Sequence, residues 1–538
     1  MVKQRILEDL KTAVKELGYP VTDPDSIGTN IVCNIPKNPK FGDYTTNLAL
    51  QLAKQDSQNH RHSPLEIANE ILQKFGTHTY LEKVEVAGGF INFFVKKSVL
   101  ANDLKEILQL GENFGKSEIG SGKKARVEFV SANPTGPLHM GNARSAPLGD
   151  VLASVLHSQG YQVLREFIDN NVGEQVKALG ATIKAKISGN SLDANQYQGE
   201  YISDLAKNLE VNVEKLTDEE VGRLAVEFLH EEILADCHLM GIKFDLVVHE
   251  SDLRKEAAKV LEQLRKKGVL KEKDGALWLA PNDEFLKDRE TVVQKTDGNY
   301  TYFTADIVYH KQKFESGAEV IIDVFGSNHH GHVPRLQAAA LALGFDPKRL
   351  KVVLYQYVRV KRGKEVVKMS KRAGNFITAK EVLEEVGKDA FRFYLLRFAP
   401  QTHMDFDLEL VKEQTNKNPV YYVQYAHARM VNILLKAKDN KEEANLELLT
   451  AEYEQALIKH LLYLPDLLAE LALSFQVHHL TDYAISLADY FHKFYEACPV
   501  LSAESKELVK ARLALVKASK ITLANTLEIL GVLAPERM

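Results

Sequence analysis

The sequence predicts a multidomain α/β fold, with a doubly wound parallel sheet in the middle, an α/β appendage ahead of it and an all-helical domain behind it. Three observations carry that expectation. The chain has 538 residues, too many for one core, so about three or four domains are expected. Residues 126–168 spell strand, loop, helix and strand in succession, the repeating unit of a doubly wound sheet. From about residue 410 onward the apolar residues recur only at helical spacing.

The elements follow in order. Residues 1 to about 110 read as an appendage with its own core, in which 68–75 and 99–110 are helices and 84–95 is strand–turn–strand, broken at Gly88-Gly89. Gly111 to Lys124 is a polar, glycine-rich linker. Arg126 to Val130 is a short apolar strand, followed by a loop with Pro134, Gly136 and Pro137. Leu148, Val151, Leu152, Val155 and Leu156 then recur at helical spacing, and Gly160 stands where that helix stops. Tyr161 to Ile168 is the next strand. Residues from about 185 to 290 are polar and helical in pattern, and read as an insertion between the two halves of the sheet. Glu319 to Phe325 is the second half's apolar strand, ending in the run Gly326–Gly331 (GSNHHG), and the helix after it closes near Gly344. Lys351 to Val360 reads as one more strand, leading into a basic loop. Leu523, Leu527 and Leu530 carry the helical period towards the C-terminus.

Composition excludes some classes. A hydrophobic share of 45% and a charged share of 26% are those of an ordinary globular protein. No apolar run is long enough to cross a bilayer and the start lacks a signal-peptide pattern, so a cytoplasmic protein with no membrane partner is expected. Cys33, Cys237 and Cys498 lie far apart with no Cys-x-x-Cys spacing, so neither a structural zinc site nor a disulfide framework is expected. The net charge of −5 does not exclude nucleic acid, because an acidic body can carry a local basic face.

Two quartets carry the chemistry. His139-Met140-Gly141-Asn142 opens a helix, where a histidine and an asparagine amide can donate to phosphate. Far downstream, Lys368-Met369-Ser370-Lys371 sits in a loop crowded with Lys361, Arg362, Lys364 and Arg372 and opposed only by Glu365. Lysines on flexible stems can meet charge as it develops on a leaving pyrophosphate, and Gly363 and Gly374 flank the segment. Taken singly, each is also what a turn histidine or a solvated charge run looks like. Glu128 is a charged residue inside an apolar strand and so calls for a partner. His329 and His330 have no third ligand at metal spacing, so no metal site is expected there.

These quartets resemble the HIGH and KMSKS motifs of class I aminoacyl-tRNA synthetases. Four further strings narrow the resemblance to the arginyl-tRNA synthetase family: Glu128–Gly136 (EFVSANPTG), Tyr302–Asp306 (YFTAD), Asn418–Arg429 (NPVYYVQYAHAR) and the terminal Ala534–Met538 (APERM). The resemblance spans the chain. It implies a Rossmann-like catalytic sheet, with His139, Asn142, Lys368 and Lys371 as catalytic residues. It implies an ATP site of Pro137, His139, Gly141, Asn142, Gly326, Asn328, His329, Val358, Lys368, Met369, Ser370 and Lys371, with Mg2+ accompanying ATP and no zinc. It implies an arginine site of Glu128, Ser131, Asn133, Tyr302, Asp306 and His330. A guanidinium is a planar fork of five donors, and a carboxylate such as Asp306 is its natural partner. Contacts to the tRNA for arginine are expected from Asn92, Tyr422, Tyr425, Arg429 and Met538. At least one of Tyr421, Tyr422 and Tyr425 is expected in the core, and Phe90 to Phe94 fit either a surface strand or a core strand.

The implied division is an N-terminal tRNA-contacting domain (1–112), a catalytic domain (120–355), a KMSK loop and stem-contact region (356–412) and a helical anticodon-binding domain (413–538). The expected product is arginyl-tRNA, made through arginyl-adenylate and transfer to the terminal 2′-hydroxyl, by a monomer whose activation step requires tRNA. The chain departs from the family pattern at Asn142 (usually His), Asn171 and Asn328 (usually Asp) and Arg372 (often Ser). Those departures also fit a non-catalytic tRNA-binding descendant of such an enzyme.

Overall fold

The computed structural model describes residues 2–19, 31–36, 38–55, 62–193, 196–209, 213–281, 283–286, 290–363, 365–367, 377–437 and 444–538. At the N-terminus α1 (Val2–Glu16), α2 (Leu48–Gln55) and α3 (Pro64–Phe75) pack beside an antiparallel sheet of β1 (Tyr44–Thr46), β2 (Leu81–Ala87) and β3 (Phe90–Val95), with β3 in the middle. α3 starts where the sequence allows it. Ser63 caps the first turn, Glu66 reaches back to the Ser63 N–H, and Pro64 supplies a preset φ. Gly88 and Gly89 both take positive φ, 59° and 85°, which is what a two-residue hairpin turn between β2 and β3 demands. α4 (Lys97–Leu110) then leaves this unit and packs on the C-terminal helices.

The central sheet is parallel throughout. β4 (Lys124–Glu128) leads through α5 (Met140–Ala143) and α6 (Ser145–Ser158) to β5 (Gln162–Asp169). Next come α7 (Glu174–Ile187), α8 (Glu200–Asn208), α9 (Asp218–Leu239), β6 (Leu246–His249) and α10 (Glu250–Lys266). β7 (Leu270–Lys273), β8 (Ala276–Leu279) and β9 (Thr291–Gln294) form a small antiparallel sheet. α11 (Tyr302–Glu315), β10 (Val320–Gly326), α12 (Val333–Leu343) and β11 (Leu350–Tyr355) complete the sheet, whose order is β11-β10-β4-β5-β6. The chain winds outward from β4 to β6, then crosses and winds outward again through β10. The switch point therefore lies between β4 and β10, and ligands bind at the carboxyl ends of such strands.

Two expectations change. The stretch 185–290 is not purely helical: it holds β6, a strand of the main sheet, and the β7–β9 sheet. β6 is only four residues long between two long helices, so its period is lost in theirs. The stretch 351–360 is not one strand. β12 (Val358–Arg362) belongs to another sheet, between β13 (Glu365–Val366) and β14 (Met404–Asp407). The break falls at Gln356, whose N–H donates to the Pro400 carbonyl (2.8 Å) and whose carbonyl accepts from Arg144 (3.1 Å) instead of joining a ladder.

α13 (Ala379–Val386), α14 (Lys388–Leu396) and α15 (Leu408–Lys412) lead to the C-terminal bundle of α16 (Pro419–Lys436), α17 (Glu452–Leu462), α18 (Leu464–Ser474), α19 (His478–Ala497) and α20 (Lys506–Leu530). Arg392 of α14 ties the parts together. It is fully buried and donates to Asp150 on α6 (2.6 Å), to the Met240 carbonyl after α9 (3.1 Å) and to the Leu530 carbonyl closing α20 (3.0 Å).

Candidate active site

The loop after β4 builds the first wall. Val130 and Ser131 take positive φ, 66° and 39°, a strained turn of the kind that collects at functional sites. The Ile168 N–H donates to Ser131 Oγ (3.2 Å), which pins the turn to β5. His139 stands at the N-cap of α5 and its ring lies over Gly141. A Cβ at Gly141 would come 2.9 Å from that ring and 3.1 Å from Tyr357, so the position needs glycine. Arg144 then locks the helix start. Its buried guanidinium donates to the carbonyls of Gln356, Phe398, Ala399, Pro400 and Thr402 at 2.8–3.1 Å.

The second wall is stitched to the first. His139 bridges antiparallel to Thr378, the Ala379 N–H donates to the Leu138 carbonyl (2.7 Å) and the Met140 N–H to the Ile377 carbonyl (3.4 Å). Thr378 caps α13 in a capping box with Glu381. Lys368, Met369, Ser370 and Lys371 lie outside the described residues, as do Lys364, Arg372 and Gly374. The described chain resumes at Ile377, against His139. Asn142 and Pro137 are half-buried.

Gly326 ends β10 at the switch point, and a Cβ there would meet Asn328 Oδ1 at 2.7 Å. Asn328 and His330 are exposed, while His329 is half-buried and its ring is held below its ordinary pKa by burial. Val358 is buried at 2% exposure in β12, so only its backbone can face a ligand.

The third wall is α11. Tyr302 and Asp306 are one turn apart and share a face. Tyr302 is 43% exposed and lines a cavity of about 1130 Å³ together with Asn133, Asn170, His249 and Glu250. Asn133 Oδ1 accepts from Asn170 Nδ2 (2.8 Å), and Asn133 Nδ2 donates to Gln175 (3.1 Å). Burial, with the charges of Glu128, Glu250 and Asp323 added, pushes the Asp306 carboxyl up to about 7. His332, at the foot of α12, approaches Asp306 to 3.9 Å, and burial holds its ring below the ordinary pKa. This cluster is short of positive charge and suits a cationic ligand.

Glu128 differs from its expected role. It sits on the central strand at 3% exposure, and its Oε2 accepts from the fully buried Lys313 Nζ at 2.5 Å. It supplies negative potential behind Asp306 and is not an open ligand of the cavity. Lys313 also donates to Asp323 (2.7 Å). Arg126 pairs with Glu166, which accepts from Tyr309 as well (2.7 Å). Burying such pairs without full satisfaction would be costly, and here each carboxylate has a partner.

Two residues were missed from sequence. Glu250 opens α10 at 1% exposure, lines the cavity and is gripped by Arg254 (2.7 Å). It follows the carboxyl end of β6, so recognising that strand would have exposed it. His332 carried no signal of its own.

At the other end of the molecule Asn92 departs from expectation. It lies on the middle strand β3 at 3% exposure and accepts from Thr45 Oγ1 (2.7 Å), and Phe93 is fully buried, so neither forms an exposed strand surface. Phe90, at 40% exposure, is the exposed member. On α16, Tyr421, Tyr422 and Tyr425 are all half-buried, so none is a core residue as expected. The Arg429 guanidinium lies over the rings of Tyr425 (4.7 Å) and Tyr495 (5.4 Å) and donates to the Tyr425 hydroxyl (2.7 Å). Tyr422 donates to Asp489 (2.6 Å). His427 is buried and its Nδ1 donates to the Pro535 carbonyl (2.8 Å), holding the tail against α16, with Met538 exposed at its end.

Comparison with known proteins agrees with this geometry. Three family models match in sequence order: the arginyl tRNA synthetase N terminal domain over residues 3–95, the class I (R) tRNA synthetase catalytic domain over 103–433 and the DALR anticodon binding domain over 423–538. An arginine–tRNA ligase of Carboxydothermus hydrogenoformans is 42% identical over 525 residues, covering 94% of this chain and 93% of that one. A crystal structure described as an arginyl-tRNA synthetase of Campylobacter jejuni superposes with a TM-score of 0.74 at 31% identity, covering 82% of this chain and all of that one. The Thermus thermophilus arginyl-tRNA synthetase, at 24% identity, shares the fold over the full length of both chains, with a TM-score of 0.82. A catalytic-domain match over more than half of the chain, flanked by both accessory domains, settles the matter: the chain belongs to the arginyl-tRNA synthetase family.

Proposed function

We propose that this chain ligates arginine to its tRNA in two steps. In the first, the arginine carboxylate attacks the α-phosphorus of ATP, the bond to the β-phosphate oxygen breaks, and arginyl-adenylate and pyrophosphate form. In the second, the terminal 2′-hydroxyl of the tRNA attacks the carbonyl carbon, AMP leaves, and the hydroxyl proton is lost. The single observation that carries this reading is that one loop delivers both His139 and Asn133, and Asn133 lines the same cavity as Tyr302 and Glu250. Donors for phosphate and carboxylates for a guanidinium would thus lie on one loop and the cavity beside it, at the carboxyl end of the sheet.

In this reading His139 and Asn142 donate to phosphate oxygens, and Lys368 and Lys371 neutralise the leaving pyrophosphate. Gly326 lets the nucleotide lie flat against the end of β10. Tyr302, Asp306 and Glu250 hold the guanidinium, and Ser131 and Asn133 lie towards the amino-acid backbone. Most of the rate comes from positioning and charge stabilisation. Among the described residues no three His, Cys, Asp or Glu are grouped to hold a metal. Mg2+ would be carried by the triphosphate oxygens and water, where it would neutralise phosphate charge. Tyr422, Tyr425 and Arg429 offer aromatic faces and a cation for unpaired bases, and Met538 ends the tail that His427 holds against α16. Residues 1–112, 120–355, 356–412 and 413–538 would serve as tRNA-contacting, catalytic, loop-bearing and anticodon-binding units of a cytoplasmic monomer. No helix among the described residues is long and apolar enough to cross a membrane.

The test is aminoacylation of total tRNA with each labelled amino acid, beside ATP–pyrophosphate exchange with and without tRNA. Charging by arginine alone, with exchange only in the presence of tRNA, is the expected result. Charging by another amino acid would overturn the Tyr302–Asp306 assignment. A folded, tRNA-binding protein that charges nothing would establish the non-catalytic alternative.

A further inference from the structure

Tyr302, Asp306, His310 and Lys313 follow one another along α11 at steps of four, four and three residues, so they share one face of the helix. Tyr302, at the N-terminal end of that face, lines the cavity, and His310 and Lys313, in the C-terminal half, are buried. His310 joins the two halves. It is 5% exposed, and both of its ring nitrogens face oxygen acceptors. Nε2 lies 2.7 Å from Asp323 Oδ2, and Nδ1 lies 2.8 Å from the backbone carbonyl of Asp306.

A neutral imidazole has one N–H and one lone pair. In this position a lone pair would be forced against an acceptor oxygen in a buried site, leaving that oxygen without its donor. A proton on Asp323 Oδ2 would meet Nε2 equally well, but the Lys313 ammonium on the other oxygen (2.7 Å) favours the ionised carboxylate. The proton therefore belongs on the ring, and the imidazolium satisfies both contacts. Charge balance agrees. Arg126 answers Glu166, Arg254 answers Glu250, and Lys313 stands between Glu128 and Asp323. One cation is missing from the last group unless His310 supplies it. Asp306 then remains the carboxylate that the substrate itself would neutralise.

We propose that His310 is a permanently protonated positioning residue that favours the ionised form of the Asp306 carboxylate, the form that pairs with the guanidinium of arginine. The proposal rests on the reading of Asp306 as an arginine ligand. The groups facing Asp306 are His310 on its own helix, Glu128 on β4, Glu250 on α10, Asp323 on β10 and His332 at the start of α12. Among these, His310 is the cation. The Asp323 charge and hydrogen bond raise the His310 ring above its ordinary pKa despite burial, which agrees with the geometry.

The experiment compares arginine and ATP binding by the whole chain and by His310→Gln between pH 6 and 8.5, with His310→Lys as the variant that keeps the charge. His310→Gln is expected to weaken arginine about tenfold at pH 6 and about fivefold at pH 7, one pH unit of displacement in the acid limb, to recover by pH 8.5, and to leave ATP binding unchanged. His310→Lys should restore much of the pH 7 affinity. An equal loss of arginine affinity at every pH would show a merely structural role and overturn the proposal. A second measurement needs no variant. In [15N]histidine-labelled protein, at least one of the 18 histidines should keep both ring nitrogens protonated at pH 9, and finding none overturns the proposal even if His310→Gln does not fold. Asp306→Asn separates the two readings: if it leaves arginine binding intact, the pocket assignment fails, whatever the state of His310.

Discussion

Arginine should bind with release of a proton, and its affinity should fall steeply on the acid side of neutrality. Asp306 titrates at about 7: burial raises it most, the His310 charge pulls it part of the way back, and Glu128, Glu250 and Asp323 raise it further. The guanidinium stays charged throughout, so it pairs with the ionised carboxylate only. The apparent dissociation constant is then multiplied by one plus ten to the power (7 − pH). That factor is about 1.1 at pH 8, about 2 at pH 7 and about 11 at pH 6, so arginine should weaken about tenfold between pH 8 and pH 6, roughly 1.4 kcal/mol. Calorimetry at pH 7 in two buffers of different ionisation enthalpy should show about half a proton released per arginine bound. Affinity that is flat from pH 6 to 8, with no buffer dependence, would refute the argument. ATP binding is the control.

The same carboxylate is a burden on the empty protein. Its folded pKa lies above the unfolded 3.8, so the folded form favours the proton and stability is lost as pH rises from about 4 to 7. Asp306→Asn should therefore raise the Tm of the ligand-free protein at pH 8, by no more than about 4 kcal/mol of stability, with the gain more than halved at pH 5; calorimetric melting at both pH values checks this. Gly141→Ala places a Cβ 2.9 Å from the His139 ring, and should raise the KM for ATP in the exchange assay while circular dichroism stays unchanged. Arg144→Met removes five hydrogen bonds to backbone carbonyls, of which those of Ala399 and Pro400 keep a backbone donor, and should cost about 3–5 kcal/mol in denaturant melts. Lys371→Ala should lower the exchange rate about a hundredfold or more, with arginine affinity unmoved.

Much of this fold is legible in the sequence because its signals are local. Gly88-Gly89 announces a hairpin, and Leu148 to Leu156 announce a helix within a few residues of each other; the helix read from 68 starts at Pro64, where Ser63 and Glu66 cap it. β6 escaped because four residues give no measurable period, and with it went Glu250, which needs the strand before it to be placed at a sheet end. Asn92 misled because alternation in β3 tells which residues share a face, not which face is covered. α2 and α3 pack against this sheet, and Asn92 is turned to Thr45. The strand break at Gln356 was invisible because its cause is Arg144, more than two hundred positions earlier in the chain.

The site divides along the same line. His139, Gly141, Tyr302 and Asp306 could be proposed from the sequence because short strings hold them at fixed spacing. What sets their chemistry could not, because it comes from side chains that meet only in the folded sheet. Glu128 and Lys313 are 185 positions apart, and Tyr309 and Glu166 are 143 apart. The charged residue in the apolar strand did signal that a partner must exist, since an unpaired carboxylate would not stay ionised there. It did not say that the partner would lie on the helix carrying Asp306. That placement decides how the pocket works. The helix that presents the carboxylate to a ligand is anchored at its other end by charges of the same network. Tyr302 and Asp306 are thus held in place before any ligand arrives, which is the condition for electrostatic recognition without reorganisation.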